Sequence, residues 1–301
     1  MNTLEQNKKK YKSLKNQLLD NQIILAPGCY DAFSAMLISH TGFEAAYLTG
    51  ASISYTRLGR PDIGLVSMTE VSNTISLIKE RTNIPLIVDG DTGFGNALNV
   101  IRTVKLFEMA GANAIQLEDQ TLPKRCGHLK GKSLVSTSEM VGKIKAAVDT
   151  RQNEDFLIIA RTDSIAVEGF DSAVERGNHY MNAGADILFI EAPENQKQQQ
   201  DIPKIFNKKI PLLANMVEGG STPLKNASEL QSIGYSIVIF PGGLIRAFTH
   251  MALEYFNSLK KHGSNEPFYS KMLDFNQLNE LLGTNEIIDI GKKYDSSPLK
   301  K

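Results

Sequence analysis

The sequence predicts an α/β fold, specifically a (β/α)8 TIM barrel, from three observations. Its 301 residues are a normal length for such a barrel, and 42% of them are hydrophobic, which is enough for a large core. Short apolar runs recur eight times, and most of them are separated by helical patterns. A doubly wound open sheet is the alternative, but it typically has fewer strands, and no G-x-G-x-x-G motif follows the first run.

The eight apolar runs are the predicted strands. They are rich in β-branched residues and nearly continuous in apolar character, as expected for parallel strands that are buried on both faces. Each run is closed by polar residues or glycine. The predicted strands are residues 23–27, 45–50, 85–91, 114–120, 156–163, 187–193, 211–217 and 236–241.

Helical periodicity lies between most of these strands and is clear at residues 96–110 and 138–148. Four glycines stand directly before predicted strands, and we expect each to end a helix in a left-handed cap: Gly42, Gly111, Gly184 and Gly234. We predict an N-terminal helical extension at residues 1–20, the barrel at residues 21–260, and extra C-terminal helices with a tail at residues 261–301.

Composition excludes several classes of partner. Lys+Arg and Asp+Glu balance at 33 each, so no net charge favours nucleic acid. No run of about 18 apolar residues predicts a membrane helix, and the Lys-rich N-terminus lacks the apolar core of a signal peptide. Two cysteines make a disulfide framework improbable, so we expect a reducing cytoplasm.

Charged and polar side chains follow the predicted strands at the ends that share the mouth of a barrel. Acids crowded into one cleft repel each other unless a cation lies between them. Oxygen ligands without a histidine cluster favour Mg2+ or Mn2+ over zinc, so we predict a metal site at Asp89, Asp91 and Glu118. In a regular strand the carboxylates of Asp89 and Asp91 would point to opposite faces. The complete polar set is Asp89, Asp91, Glu118, Arg161, Asp163, Glu191, Asn215 and Glu218.

Cys126 is the strongest candidate for a catalytic side chain. It is flanked by Lys124, Arg125 and His128, and nearby positive charge stabilises a thiolate. The glycines of this segment predict a mobile loop that closes over substrate and excludes water. Cys29 has no such neighbours and is predicted to be a buried, inert thiol.

Two further segments are weaker candidates for anion binding. Residues 92–96 form a glycine-containing loop before a helix N-terminus. Gly242 and Gly243 follow the last strand, where barrels often bind phosphate. Arg246, one helical turn later, could bind a carboxylate instead.

Eight ordered motifs identify the chain as resembling the isocitrate lyase/phosphoenolpyruvate mutase superfamily over nearly its whole length. They are APGCYDA at 26–32, YLTG at 47–50, LGRPDIG at 58–64, VDGDTGFG at 88–95, LEDQ at 117–120, KRCGH at 124–128, ARTD at 160–163 and LANMVE at 213–218.

The resemblance implies an assembly and a ligand set. The eighth helix of the barrel would be exchanged with a neighbouring subunit, giving a homo-oligomer in which dimers pair into tetramers. Mg2+ would be held mainly by Asp89, with water-mediated contacts to the other acids. The α-keto acid half of a small carboxylate substrate would lie near the 47–51 segment and Arg161. The implied residues are Asp62, Asp91 and Glu118 for the metal, and Thr49, Gly50, Ala51, Asp89, Gly127 and Arg161 for the substrate.

The resemblance also favours carbon–carbon lyase chemistry, because branches that act on phosphonopyruvate or oxaloacetate generally lack the cysteine motif. The hypothesis is retro-aldol cleavage of a 2-hydroxy di- or tricarboxylate, such as 2-methylisocitrate or dimethylmalate, to pyruvate and a second carboxylate. Cys126 is the predicted proton donor and Tyr47 a possible base. Arg161, Asn215 and His128 would stabilise the enolate, and Glu191 would position Arg161.

Three alternatives stay open at this point. The first is a phosphonomutase that moves a phosphoryl group between oxygen and carbon, as in the carboxyphosphonoenolpyruvate branch. The second is a non-catalytic barrel that only binds a dicarboxylate. The third is a Schiff-base aldolase that uses Lys124. The distal group of the substrate is also open, although Arg246 falls near an arginine that methylisocitrate enzymes use for a distal carboxylate.

Overall fold

The computed structural model describes residues 10–20, 22–206 and 208–295 and confirms the closed barrel. All neighbouring strands pair in parallel, in the order β6-β5-β4-β3-β2-β1-β8-β7. A parallel bridge between Leu188 and Leu212 joins β6 to β7, so the sheet closes on itself and the open-sheet alternative is wrong. The strands are β1 Ile24–Cys29, β2 Ala46–Leu48, β3 Leu86–Asp89, β4 Ala114–Glu118, β5 Leu157–Thr162, β6 Ile187–Ile190, β7 Leu213–Asn215 and β8 Ile237–Phe240.

Helices follow the strands around the barrel. The helices predicted at 96–110 and 138–148 are observed at Ala97–Met109 and Thr137–Thr150. The four glycines before strands have φ between 92° and 112°, which confirms the predicted left-handed caps. The remaining α-helices of this part are Leu14–Leu19, Ala32–His40, Gly50–Ile53, Met68–Arg81, Ile165–Glu168, Phe170–Asn182, Gln196–Phe206 and Ala227–Ile233, with a π-helical turn at Ser54–Leu58.

Two hydrophobic clusters account for the packing of the barrel. The larger lies between the sheet and the surrounding helices, and the smaller fills the inside of the barrel. Because side chains alternate along a strand, each strand contributes to both. Leu14, from the helix that precedes β1, is fully buried in the inner cluster.

The chain divides into two compact units. One is Tyr11–Leu244; the other comprises, among described residues, Lys10 and residues 245–295. Helix Gly243–His262 leads into the second unit, followed by a 3-10 turn at Glu266–Lys271 and helices Phe275–Leu282 and Thr284–Lys292. The predicted domain limits at 20 and 260 stay predictions, and residues 1–9 and 296–301 lie outside the described part. No helix in the described ranges has the length and apolarity needed to cross a membrane.

Candidate active site

The polar side chains at the mouth occupy the strand positions whose side chains point into the barrel. In β4, Ile115 and Leu117 pack outward against the helices, so Gln116 and Glu118 face the interior. Below them the inner face is apolar and closed by packed side chains. The same alternation directs Tyr47, Asp89, Arg161, Glu191 and Asn215 inward from their strands.

Asp89 and Asp91 face the same glycine, because the strand does not stay regular between them. Strand β3 ends at Asp89, and Asp91 has a φ of 46°. The Asp91 N–H donates to Asp89 Oδ1 (3.2 Å), and the Gly50 N–H donates to Asp89 Oδ2 (3.3 Å). A Cβ on Gly50 would lie 3.3 Å from Asp89 Oδ2 and 3.5 Å from Asp91 Oδ1. A side chain at residue 50 would therefore crowd both carboxylates.

Lys124 neutralises part of this acidic cluster. Its Nζ lies 2.6 Å from Asp62 Oδ1 and 2.8 Å from Asp91 Oδ1. Burial alone would lower the pKa of the ammonium, but the surrounding carboxylates outweigh it and hold that pKa well above its usual range. An amine held as an ammonium is not a nucleophile, which disfavours the Schiff-base aldolase.

Glu118 joins the acidic cluster to a second group of charges. Its Oε2 lies 3.3 Å from Arg161 Nη1, while its Oε1 is buried and accepts no hydrogen bond from any described residue. Burial raises the pKa of Glu118 well above its usual range and raises the pKa of Asp91 to about 6. This side of the mouth holds more buried carboxylates than cations to balance them.

The donor set fits a divalent cation that keeps much of its water. Within the described residues, no three His, Cys, Asp or Glu side chains converge closely enough to hold an ion by themselves. Mg2+ usually takes one or two carboxylates and retains several waters, so Asp89 with more distant acids is a suitable arrangement. The unpartnered Oε1 of Glu118 is a buried acceptor for such a hydrated ion.

Arg161 organises the other side of the mouth. Its Nε and Nη2 each donate to Asp163 at 3.0 Å, a two-point pairing that fixes the guanidinium plane. Nη2 lies 3.9 Å from Glu191 Oε1, and the guanidinium carbon is 5.2 Å from the centre of the Phe189 ring. Burial would raise the pKa of Asp163, but Arg161 and Lys132 outweigh it and hold that pKa low. Both partners are therefore charged.

Glu191 contacts one residue at the end of a strand and one on the Cys126 loop. Asn215 Nδ2 donates to its Oε1 at 3.1 Å, and His128 Nε2 lies 3.2 Å from the same oxygen. The Ser221 N–H donates to His128 Nδ1 (3.2 Å), so Nε2 carries the ring proton. Burial alone would raise the pKa of Glu191, but Arg161 and His128 keep it below its usual range. The structure thus brings together four predicted site residues.

The pKa of Cys126 is shifted opposite to the prediction. Burial raises it, and the backbone N–H of His128, which lowers it, is the smaller effect. The flanking cations are committed elsewhere: Lys124 to its two aspartates, and Arg125 Nη1 to the Lys130 carbonyl at 2.9 Å. The thiol is therefore protonated at neutral pH.

Close packing, rather than flexibility, requires glycine at residue 127. A Cβ there would overlap Glu191 Oε1 and lie 2.5 Å from Arg161 Nη2. The loop backbone therefore rests directly on the Arg161–Glu191 pair, which brings the predicted substrate-binding residue Gly127 against both.

Tyr47 lies in the inner cluster and is linked to the acidic cluster through an amide. Its hydroxyl donates to Gln116 Oε1 (2.9 Å), and Gln116 Nε2 donates to Asp89 Oδ1 at 3.4 Å. Burial raises the pKa of Tyr47 well above its usual range. Tyr47 as the base stays a prediction. Next to it, Thr49 caps the short helix that contains Gly50 and Ala51.

The other sequence candidates fall into different positions. The Asn96 side chain already accepts the Leu98 N–H (2.9 Å) at the loop after β3. A Cβ on Gly243 would lie 3.5 Å from Glu218 Oε1, and a carboxylate there disfavours a phosphate. Arg246 is exposed and belongs to the second unit, so its role stays a prediction. Cys29 is fully buried with a raised pKa, as predicted.

The predicted site omitted three buried polar residues that support it. Asp119 accepts hydrogen bonds from Thr162 Oγ1 (2.7 Å), the Asp163 N–H (2.9 Å) and the Tyr180 hydroxyl (2.7 Å). Gln116 was detectable as a polar residue inside an apolar strand. Lys132 had no such signal, because a lysine in a loop is normally solvated.

Comparison with known proteins shows that the chain is similar to enzymes named as lyases and mutases. A family model described as phosphoenolpyruvate phosphomutase matches residues 14–260. The chain is 46% identical over 283 residues to 2,3-dimethylmalate lyase of Eubacterium barkeri, covering 93% of this chain and 96% of the relative. It is 42% identical over 273 residues to 2-methylisocitrate lyase of Aeropyrum pernix, covering 91% and 87%. It is 39% identical over 286 residues to the chloroplastic carboxyvinyl-carboxyphosphonate phosphorylmutase of Arabidopsis thaliana, covering 93% and 84%.

Solved structures give the same picture. A crystal structure of 2,3-dimethylmalate lyase superposes with a TM-score of 0.86 at 34% identity, covering 94% of each chain. Phosphonopyruvate hydrolase in complex with oxalate and Mg2+ superposes with a TM-score of 0.85 at 30% identity, covering 94% of this chain and 98% of that one.

Proposed function

The chain belongs to the phosphoenolpyruvate phosphomutase family, and we propose that it is a metal-dependent carbon–carbon lyase acting on a 2-hydroxy di- or tricarboxylate. The products would be an α-keto acid such as pyruvate and a second carboxylate. Similarity to 2,3-dimethylmalate lyase and 2-methylisocitrate lyase supports the substrate class.

The position of Cys126, on a loop seated against Arg161 and Glu191 where burial raises the pKa of its thiol, is the observation that carries the proposal. Retro-aldol cleavage leaves a carbanion that must be protonated, and a thiol with a raised pKa keeps its proton until that charge develops. The loop backbone lies against the guanidinium, as the contact at Gly127 requires. The proton donor is therefore next to an anion-binding group.

The acidic cluster would hold the metal. In this proposal Asp89 would be the direct ligand, and Asp62, Asp91 and Glu118 would interact with the ion through water. When bound, Mg2+ or Mn2+ supplies electrophilic stabilisation of negative charge on substrate oxygens. The pairing of Lys124 with two of these acids limits the repulsion among them.

The ion-paired side of the mouth would bind the organic part of the substrate. Arg161, Asn215 and His128 present fixed donors that can stabilise an enolate. Glu191 would orient the last two of these, because it accepts from Asn215 and lies 3.2 Å from His128 Nε2. The backbone at Thr49, Gly50 and Ala51 would contact the keto-acid half, and Tyr47 would remove the hydroxyl proton.

A substrate panel tests the proposal. Purified protein with Mg2+ is assayed for keto-acid release from 2-methylisocitrate, 2,3-dimethylmalate and related 2-hydroxy acids. Cys126→Ser should lower turnover at least about a hundredfold, the usual contribution of a positioned general acid. Ligand binding, measured by calorimetry, should persist. Full activity of the Ser variant would remove Cys126 from the proton-donor role.

A phosphonomutase is the second candidate, because similarity extends to the Arabidopsis phosphorylmutase. Phosphorus NMR with a phosphonate substrate distinguishes the two reactions, since only a mutase interconverts P–O and P–C bonds. Activity that persists in Cys126→Ser would favour the mutase. A non-catalytic dicarboxylate-binding barrel would turn over none of these compounds.

We also propose that the protein is a homo-oligomer, a dimer of dimers with exchanged eighth helices, in the cytoplasm. Helix Gly243–His262 leaves Phe248, Leu253 and Phe256 more than half exposed, which is costly in water and favours burial by another copy. Two free thiols suit a reducing compartment. Light scattering after gel filtration tests the assembly, and a monomer at micromolar concentration would contradict it.

A further inference from the structure

We propose that Lys132 is a positioning residue that latches the tip of the Cys126 loop onto the ion-paired side of the mouth. The proposal rests on the proposed function for its catalytic consequence, whereas the latch itself is a property of the loop. Lys132 touches no part of the acidic cluster in the described contacts, and it acts through the backbone of residue 127.

The contacts of Lys132 are those of a buried latch. Its side chain is only 2% exposed. The ammonium donates to the carbonyl of Gly127 and lies 3.3 Å from Asp163 Oδ1. An ammonium has three donors and no acceptor, so one side chain can hold a carbonyl and a carboxylate at once. Lys132 thereby ties the loop tip to the carboxylate that holds Arg161.

The stem of the loop is fixed without Lys132. Gln120 and Leu134 form an antiparallel bridge, and the Thr121 N–H donates to the Ser133 carbonyl at 2.8 Å. The hydroxyl groups of Thr121 and Ser133 are also hydrogen bonded, at 2.6 Å. Removing the Lys132 ammonium should therefore release the tip while the stem and the barrel stay folded.

The residues on either side of Gly127 have tethers of their own. Lys124 pairs with Asp62 and Asp91, and the Gln120 amide bonds both backbone groups of Arg125, at 2.8 and 2.9 Å. The Cys126 N–H donates to the Asp62 carbonyl at 3.3 Å, and His128 contacts Glu191. The contact of Lys132 with the Gly127 carbonyl is assisted by charge, and such bonds are roughly twice as strong as neutral ones. Because residue 127 lies between Cys126 and His128, loss of this bond displaces both side chains.

Lys132→Met tests the latch, with Lys130→Met as the matched control. Lys130 is an exposed lysine two residues away on the same loop. Iodoacetamide should alkylate Cys126 about tenfold faster in Lys132→Met, since losing a hydrogen bond to a charged group shifts the open population by roughly that factor. Lys130→Met should match the wild type. Cys126→Ala measures the background from Cys29.

Keto-acid release gives the second measurement. Turnover should fall about tenfold in Lys132→Met, with KM nearly unchanged. The charge-assisted hydrogen bond positions the Cys126 thiol, the proposed general acid, so its loss affects the chemical step rather than substrate binding. Lys132→Arg, which keeps a buried cationic donor, should recover part of both effects. A purely structural role would lower thermal stability without this split between turnover and KM and without rescue by arginine.

The outcomes separate the latch from the proposed function. Equal alkylation rates in Lys132→Met and wild type would overturn the latch, and unchanged turnover in an active enzyme would overturn its role in positioning Cys126. If no carboxylate in the panel releases a keto acid while Lys132→Met still exposes the thiol, the latch stands and the lyase proposal fails. If Lys132→Met does not fold, the alkylation rate of Lys132→Arg is used instead. A rate faster than that of the wild type supports the latch, and a rate equal to it overturns the latch. Lys130→Met should match the wild type in either case.

Discussion

The two sides of the barrel mouth differ in how their buried charges are balanced. The acidic cluster, defined by Asp62, Asp89, Asp91 and Glu118, has Lys124 as its paired ammonium and keeps an unpartnered carboxylate oxygen. The ion-paired cluster contains Arg161 and Lys132 against Asp163 and Glu191, and the His128 ring lies 3.2 Å from Glu191.

This difference separates a site that needs a cation from one that is already organised. The buried carboxylates of Asp91 and Glu118 keep raised pKa values because burial outweighs their cationic partners, and a divalent ion can supply the missing charge. Asp163 and Glu191 instead have lowered pKa values, because their partners are already in place. With its metal bound, the acidic cluster would activate the substrate. The ion-paired cluster would orient the donors that stabilise the negative charge of the enolate.

Metal removal should have the largest effect, and it acts on the acidic cluster alone. Treatment with EDTA should lower turnover by at least about a thousandfold, because a metal typically contributes several kcal/mol of charge stabilisation. Adding Mg2+ or Mn2+ should restore it. Thiol alkylation of Cys126 in the absence of substrate should change little. Full turnover in EDTA would remove the distinction between the two clusters.

Neutralising one aspartate in each cluster should have unequal effects on stability in EDTA. Asp163→Asn should cost about 3–5 kcal/mol of unfolding free energy, because it leaves buried cations unpaired. Asp91→Asn should cost clearly less, since Lys124 keeps its pairing with Asp62 and the substitution relieves repulsion among carboxylates. Urea unfolding measures both. Equal losses of unfolding free energy would mean that the buried charges of both clusters are balanced in the metal-free protein.

The smallest effect concerns pH at Glu168, whose partner Arg176 also contacts Asp119, the residue that accepts from the Asp163 N–H. Hydrogen bonds from Arg176, then Ser172, lower the pKa of Glu168 to about 2. Because this is below the unfolded value, Glu168 stabilises the fold above pH 4.5, and the contribution is lost as pH falls towards 2. Unfolding measured for Glu168→Gln should differ from the wild type near neutral pH and converge with it below about pH 2. If the difference in unfolding free energy between the two proteins stayed constant with pH, packing rather than charge would account for it.

Local patterns predicted most of the fold. Each of the eight predicted strands is present, and the four glycine caps have the expected backbone conformation. Apolar runs and cap residues act over a few positions, so their consequences can be read along the chain. Seven of the predicted strands are too long, by up to four residues, whereas the first ends two residues too early, because Gly28 and Cys29 still pair with β2.

The site was predicted as a set of residues but not as a set of pairs. The strand ends named Arg161, Glu191 and Asn215, which do meet. They did not reveal that Lys124 faces Asp62 and Asp91 rather than the thiol. Neighbours in sequence suggested a thiolate at Cys126, whereas desolvation depends on what covers the loop in three dimensions.

The sequence by itself determined the barrel, the rim on which the polar residues gather, and the inert position of Cys29, because alternation and burial are periodic properties of strands. Only the tertiary structure decided which charges compensate each other, why residue 127 must be glycine, and that Lys132 joins the thiol loop to Asp163. These depend on contacts between separate strands and loops, where a shift of an ångström changes the partner of a buried charge.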